Sequence, residues 1–224
     1  MNVREIHRRG LVEFLGFELL VAPGVLVPRP ETELLARAAL QELRDLRAPR
    51  VIDMCCGSGN LACGIALLAP HAELWASDLE PRCIEVARRN VERLDLSRRV
   101  RLGQGDLFAG LRGFALEGSI DAVVCNPPYI SARRLEGDSA ALLEHEPRAA
   151  FDGGPYGLSV HQRVIREAPG FLRAGGVLLF EIGLGQDRQL RALFARATQY
   201  EGLRLLHDAE GQARVALARR KGQA

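Results

Sequence analysis

The chain has 224 residues, 47% of them hydrophobic, and a formal net charge of +2, enough apolar material for one substantial core and too little charge to imply nucleic acid by itself. No run approaches the ~18 consecutive apolar residues of a membrane span, and residues 1–10 carry Arg4, Arg8 and Arg9 with no apolar run of export-signal type behind them, so a cytoplasmic protein is expected. The five cysteines, Cys55, Cys56, Cys63, Cys83 and Cys125, are odd in number and contain no Cys-x-x-Cys pair, which argues for reduced thiols and against a zinc site.

In chain order, residues 11–27 alternate apolar with polar or glycine residues and carry turn residues at Gly16 and Pro23-Gly24. This pattern predicts a short β-hairpin that serves as a lid or flank. Pro28-Arg29-Pro30 stops the strand, and Glu31-Thr32-Glu33 opens a helix expected over 31–47, where Leu34, Leu35, Ala38, Ala39, Leu43 and Leu46 recur at helical spacing. From Arg50 onward strands and helices alternate. Strands are predicted over 51–54, 73–77, 100–104, 120–125 and 176–182, and helices over 61–69, 81–95, 160–172 and 186–197. A long irregular stretch over 127–157 follows the fourth strand, and the tail reads as two strands, 203–208 and 212–218, around Glu210-Gly211. The alternation predicts an α/β fold with a doubly wound, mostly parallel sheet of seven strands, and the closing pair supplies one antiparallel edge strand. Residues 1–30 are expected as an N-terminal hairpin flank to a domain over 31–224.

In such a sheet, ligands sit outside the carboxyl ends of the strands near the reversal of strand order. The polar residues predicted there are Asp53, Gly57, Gly59, Asp78, Asp106, Asn126 and Glu181. The turn Cys55-Cys56-Gly57-Ser58-Gly59 lets a ligand approach the backbone where a helix begins. Asp78, about 20 residues on, is placed like a carboxylate that takes ribose hydroxyls, and Asp106 is placed to accept from an adenine amino group. No phosphate-binding lysine follows the glycines, so a nucleoside without a phosphate chain, S-adenosylmethionine, fits better than a nucleoside triphosphate. After the fourth strand comes Asn126-Pro127-Pro128-Tyr129. The two prolines stiffen the backbone in an extended form and carry no N–H, Asn126 adds a carbonyl acceptor, and Tyr129 adds a flat face with a polar tip. Such a set suits a planar substrate carrying an NH₂ group.

The residues Asp53-Met-Cys-Cys-Gly-Ser-Gly59, Asp78, Asp106 and Asn126-Pro-Pro-Tyr129 resemble, in order and spacing, the class I S-adenosylmethionine-dependent methyltransferases that modify nitrogen in planar systems. More narrowly, Pro28-Arg-Pro-Glu-Thr-Glu33, Asp152-Gly-Gly154, Glu181-Ile-Gly183 and Gly211-x-x-Arg214 resemble the HemK/PrmC family, the N5-glutamine methyltransferases of peptide-chain release factors. The resemblance implies a Rossmann-like methyltransferase sheet. It implies that Cys55, Cys56, Gly57, Ser58 and Gly59 pass beneath the amino acid end of the cofactor, that Asp78 holds its ribose, and that Leu107 flanks its adenine. Arg29, Glu31 and Thr32 would close over the cofactor from the flank, and Asp53, Leu79, Asp106 and Asn126 complete the expected cofactor contacts. Asn126, Pro127 and Tyr129 are the expected catalytic set, and together with Pro128 they form the substrate site. Two departures stand out. Cys55 occupies a position that is usually glycine in the family, and the family's helical N-terminal domain, which grips the protein substrate, is not expected here because about two dozen residues precede Val27.

Three functions are compatible with this reading. The first is methylation of the side-chain amide of an exposed glutamine in a protein such as a release factor. The second is methylation of a small-molecule amide, amine or guanidine, and the third is adenine-N6 methylation of RNA or DNA, which the absence of a strongly basic groove argues against. A non-catalytic cofactor binder would leave the substrate motif without a use. The histidines His7, His71, His145, His161 and His207 show no spacing for a metal or a triad and read as surface or partly buried residues. Arg133-Arg134 reads as a solvated loop, and Asp152-Gly153-Gly154 reads as a turn.

Overall fold

The computed structural model describes residues 2–137 and 139–222; the remaining positions, which include both outer ends of the expected domains, lie outside it. The chain begins with a helix that periodicity does not predict, α1 (Val3–Arg9). It buries no residue, so it leaves no apolar stripe in the sequence. Its ends are closed locally, by the Asn2 side chain accepting from the Glu5 N–H (3.2 Å) and by Gly10 in the left-handed conformation. Strands β1 (Leu11–Phe14) and β2 (Phe17–Leu20) then form the expected hairpin around Leu15-Gly16, both at positive φ, the backbone that a two-residue hairpin turn requires. The hairpin stops at Leu20 rather than Val27. Val21, Val25 and Val27 are buried in irregular chain, so the alternation there reports burial rather than a strand.

Helix α2 (Thr32–Leu43) ends before the expected position, in a tighter turn where the Leu46 N–H donates to the Leu43 carbonyl (3.0 Å). The alternating units follow as β3 (Arg50–Met54), α3 (Asn60–Leu68), β4 (Glu73–Asp78), α4 (Pro81–Arg93), β5 (Val100–Gln104) and β6 (Ile120–Cys125). The stretch expected as irregular contains a short helix, α5 (Ala132–Leu135), and two 3-10 turns. Helix α6 (Ser159–Glu167) is shorter than its apolar spacing suggests because Pro169 lacks an N–H and turns the chain. Strand β7 (Leu172–Glu181) accordingly begins earlier, and its register with β6 shifts between Leu172 and Val177. Helix α7 (Asp187–Arg196) and strands β8 (Tyr200–His207) and β9 (Ala213–Arg220) complete the chain.

The seven-stranded sheet has the order β5-β4-β3-β6-β7-β9-β8; β9 runs antiparallel to both its neighbours, β7 and β8, and the pairings from β5 to β7 are parallel. The order reverses between β3 and β6, whose parallel register sets Asp53 beside Val124 and Met54 beside Cys125. The loops after these strands therefore leave the sheet side by side at its reversal. Alternate residues of the central strands feed two cores. Val51, Val124 and Leu179 face one with α2, α3 and α4, and Ile52, Val123 and Phe180 face the other with α6 and α7. Phe14, Leu15 and Leu19 of the hairpin lie in the first of these cores. Among the described residues no helix is long and apolar enough to cross a membrane.

One buried side chain ties the hairpin to α4 and to the glycine turn after β3. Asn90 on α4 is fully buried; its Oδ1 accepts from the Leu20 N–H (2.7 Å), and its Nδ2 donates to the carbonyls of Leu20 (3.0 Å) and Ser58 (2.9 Å). Replacing it by alanine leaves three backbone groups without a partner, so Asn90→Ala is expected to lower the unfolding free energy by about 1–3 kcal/mol in urea denaturation. An unchanged midpoint would show that apolar contacts alone hold the hairpin.

Candidate functional site

Two cavities open at the carboxyl ends of the strands. The first, of about 320 Å³, lies over the loop after β3 and has Cys55, Gly57, Asp78, Leu79, Asp106 and Leu107 in its wall. The second, of about 530 Å³, lies on the other side of the β6 exit, against Arg29, Glu31, Pro127, Tyr129 and Glu181. Asn126 lines both, while Pro127 faces the second and Pro128 the first.

The floor of the first cavity is shaped by backbone conformation. Cys55, Gly57 and Gly59 all have positive φ (57°, 54° and 78°), so Cys55 takes the left-handed conformation that glycine adopts freely and that costs another L-residue roughly 1–2 kcal/mol. A Cβ added to Gly57 would meet nothing within 4 Å, since that face is open to the cavity, whereas one added to Gly59 would lie 3.2 Å from the Ala87 Cβ of α4. Gly59 thus permits close helix packing. Asp53, Cys56, Ser58 and Gly59, expected to touch a ligand, lie behind the lining: Asp53, Cys56 and Ser58 are at most 2% exposed. Asp53 supports the loop, its Oδ2 accepting from the Ala62 N–H (3.0 Å) in the first turn of α3, where helical N–H groups lack partners. Its Oδ1 has no partner among the described residues.

Asp78, at the end of β4, accepts from the N–H groups of Gly57 (2.9 Å) and Glu80 (3.0 Å). Burial raises its carboxyl above its ordinary value, and the two amides pull it back. Asp106, placed by spacing to receive an amino group, is held differently. Both of its oxygens accept from the guanidinium fork of Arg163, each at 2.9 Å. Nothing in the spacing announced Arg163, which comes from α6. Leu107 is buried at φ 50° and Leu79 is exposed on the cavity rim.

The second cavity is backed by a buried hydrogen-bond network. Glu181, fully buried at the end of β7, accepts from the Thr32 hydroxyl at Oε2 (2.6 Å) and from the Tyr129 hydroxyl at Oε1 (3.0 Å). Thr32 in turn accepts from the Asn126 Nδ2 (3.2 Å). Arg214 stands 4.0 Å from Glu181 and 3.5 Å from Glu31. Burial raises the Glu181 carboxyl, opposed by the two hydroxyl donors and the Arg214 charge, and both burial and the Glu181 charge push the Tyr129 phenol up. Arg29 is ion-paired with the buried Glu146, which also accepts from the Val27 N–H (2.8 Å). Thr32 is itself only 1% exposed, so it backs the wall rather than forming it.

The Asn-Pro-Pro-Tyr stretch is held from outside by residues that the sequence pattern understates. Gln186 donates from Nε2 to the carbonyls of Tyr129 (2.9 Å) and Gly157 (3.1 Å). The Asp152-Gly153-Gly154 segment is more than a turn. Gly153 packs so closely that an added Cβ would lie 2.7 Å from the Pro128 carbonyl oxygen, and its N–H donates to the Ile130 carbonyl (2.9 Å). His161, read as a surface or partly buried residue, is fully buried, with Nε2 2.9 Å from the Glu181 carbonyl. Glu181 and Arg214 stood out in the sequence as a polar strand end and a motif residue but without an assigned role; Glu146, Arg163 and Gln186 carried no signal.

Burial raises Asp53 from 3.8 to about 8. The unfolded chain therefore releases this proton at a lower pH than the folded one, and the native state loses stability as pH rises from about 4 to about 8. Asp53→Asn has no proton to release, so between pH 4 and pH 8 its unfolding free energy is expected to gain on that of the wild type. Parallel curves for the two proteins in urea titrations would show that Asp53 ionises normally.

The methyltransferase small domain family matches residues 30–202. A release factor glutamine methyltransferase of Moorella thermoacetica is 39% identical over 212 residues, covering 95% of this chain and 73% of the relative. One of Deinococcus radiodurans is 37% identical over 217 residues, covering 96% and 74%. Among solved structures, a methyltransferase from Pyrococcus furiosus superposes with a TM-score of 0.62 at 19% identity, covering 93% of this chain and 90% of that one. A ribosomal protein L11 methylase from Lactobacillus delbrueckii subsp. bulgaricus gives 0.61 at 19%, covering 90% and 84%. At such identity the structures speak for the fold alone.

Proposed function

The chain belongs to the methyltransferase small domain family and, within it, to the release factor glutamine methyltransferases, and from that premise we propose that it transfers a methyl group from S-adenosylmethionine to the side-chain amide nitrogen of a glutamine in a release factor. The observation that carries this reading is that the two cavities share Asn126. A donor in the first and an amide in the second meet at one side chain.

The first cavity fits the cofactor. Its volume lies at the lower end of ligand pockets, about 300 Å³, its walls are largely apolar at Leu79, Leu107 and Val160, and Asp78 offers an acceptor at the mouth. In this reading Asp78 holds the ribose hydroxyls, Gly57 lets the amino acid end lie against the backbone, and Leu107 flanks the adenine. When bound, S-adenosylmethionine supplies an electrophilic methyl on a sulfonium sulfur.

The chain's own residues do the positioning. A glutamine amide nitrogen is a weak nucleophile because its lone pair is conjugated. The Asn126 Oδ1 and the Pro127 carbonyl have no donors among the described residues, and in this reading they accept the two hydrogens of the substrate NH₂. That would fix the nitrogen toward the first cavity and stabilise the positive charge developing on it as the N–C bond forms and the methyl–sulfur bond breaks. The sulfur would leave as a neutral thioether with the bond's electron pair, and one N–H proton would pass to solvent to restore the neutral amide. Tyr129 packs its ring against the amide plane, and Arg29 and Glu31 line the approach.

Labelled methyl from S-adenosylmethionine is expected in a purified release factor, and Asn126→Ala is expected to lower kcat about 100-fold with cofactor affinity held within about threefold. Loss of cofactor binding in step with activity would remove Asn126 from the substrate role, and label appearing only in small molecules would overturn the protein substrate. Asp78→Ala is expected to weaken cofactor binding about 10- to 100-fold by calorimetry, the loss of charge-assisted hydrogen bonds. An unchanged affinity would exclude Asp78 from the ribose.

A further inference from the structure

We propose that Glu181 and Thr32 are positioning residues that fix the rotamer sense of the Asn126 amide, so that its carbonyl oxygen and not its NH₂ faces the second cavity and the site accepts only a nitrogen that brings its own hydrogens. The proposal rests on the reading that Asn126 receives the substrate.

The polarity follows from counting protons along the network. Two hydroxyls and the Arg214 charge at 4.0 Å are set against the burial of Glu181, which is taken here as the carboxylate they answer and can then only accept. The Thr32 hydroxyl has one proton, and it is spent on Glu181 Oε2 at 2.6 Å. Thr32 Oγ1 therefore has only lone pairs to offer Asn126, and the group 3.2 Å away must be the NH₂. Turning the Asn126 amide over would set its carbonyl against the Thr32 oxygen, two acceptors with no hydrogen between them. In a buried place that arrangement leaves both unsatisfied. The orientation of the amide is thus dictated by the carboxylate two hydrogen bonds away.

The same carboxylate also removes the hydroxyl donor next to Asn126. The Tyr129 hydroxyl spends its proton on Glu181 Oε1 at 3.0 Å, so it has none to give a substrate oxygen. With both hydroxyl protons drawn to Glu181, the groups that remain beside Asn126 are acceptors, the Asn126 Oδ1 and the Pro127 carbonyl. An amide NH₂ matches them. A carboxylate or ester oxygen set against these two groups meets only lone pairs, and the Arg29 guanidinium elsewhere in the wall is already ion-paired with Glu146, which separates glutamine from glutamate although the two have the same shape. The His161 ring, in contact with the Glu181 carbonyl at 2.9 Å, holds the strand end from behind and takes no part in the relay.

The test compares Thr32→Val, which keeps shape and removes the hydroxyl, with Thr32→Ser, which keeps the hydroxyl, and with Glu181→Gln, using transfer of labelled methyl to a purified release factor and calorimetry with S-adenosylmethionine. Thr32→Val and Glu181→Gln are expected to lower kcat about 10- to 100-fold with cofactor affinity within about threefold, and Thr32→Ser recovers most of the Thr32→Val loss. In an Asn126→Ala background, single-turnover rates are expected to fall by less than about threefold on adding Thr32→Val, because residues that act through one group are not additive. If Thr32→Ser is as impaired as Thr32→Val, or if the double variant loses the full product of the two single losses, Thr32 acts through packing and the relay is wrong. If Asn126→Ala loses turnover while Thr32→Val and Glu181→Gln keep it within about threefold, the relay fails and the role of Asn126 stands. If Asn126→Ala itself keeps turnover, the substrate reading fails and the relay with it.

Discussion

The parallel pairing of β3 with β6 is the constraint on which the site depends. Met54 and Cys125 sit opposite each other at the last rung of that ladder, so the glycine turn after β3 and the Asn-Pro-Pro-Tyr stretch after β6 leave the sheet at the same height. Strands are about 4.8 Å apart. Two loops that diverge from neighbouring strands must open a crevice between their paths, and Asn126 stands on the wall that the two cavities share. A one-residue slip would turn every side chain of β6 to the opposite face, sending Val123 and Val124 into the wrong cores and displacing Asn126 from that wall.

Burial is what makes the polar groups here consequential. Asp53, Asp78 and Glu181 lie at the carboxyl ends of three strands, and burial raises each above its ordinary value. A carboxylate removed from water is tolerated where donors or a cation answer it. Asp78 has two backbone amides, Glu181 has two hydroxyls and Arg214, and Asp53 has a single amide. The differences suit three separate tasks. Asp53 organises the start of α3, Asp78 keeps an acceptor edge at the mouth of the first cavity, and Glu181 orders hydroxyl protons behind the second.

Long-range side-chain bonds hold the irregular segments against the sheet. Asn90 joins the hairpin to the glycine turn, Glu146 joins the chain before α2 to the stretch after β6, and Gln186 clamps the backbone of Tyr129. Close glycine packing adds to this at Gly153 and Gly157, where an added Cβ would run into the carbonyls of Pro128 and Tyr129. The rigid wall around Asn126 is therefore built from parts of the chain that have no regular structure of their own.

Much of the architecture was legible in the sequence because its causes are local. Apolar period set the strands and most helices, Pro127 and Pro128 fixed an extended exit from β6, and glycine marked the turns where φ is positive; the errors fell where a local rule was overruled by another, as at Pro169, or where burial imitated a strand, as at Val25 and Val27. The elements that buried nothing, such as α1, left only their caps to be read. The placing of Gly57, Asp78, Asn126 and Tyr129 on cavity walls follows from the same local logic, since all stand at strand ends of a doubly wound sheet. What only the tertiary structure decided is which polar groups meet. Thr32 and Glu181 are 149 residues apart, Val27 and Glu146 are 119 apart, and Asp106 meets Arg163 from a helix 57 residues on. Hydrophobic burial is non-directional and writes a period into the chain, whereas a buried hydrogen bond depends on the position of single atoms and leaves no period, so its partners are settled only when the folded core brings them within about 3 Å.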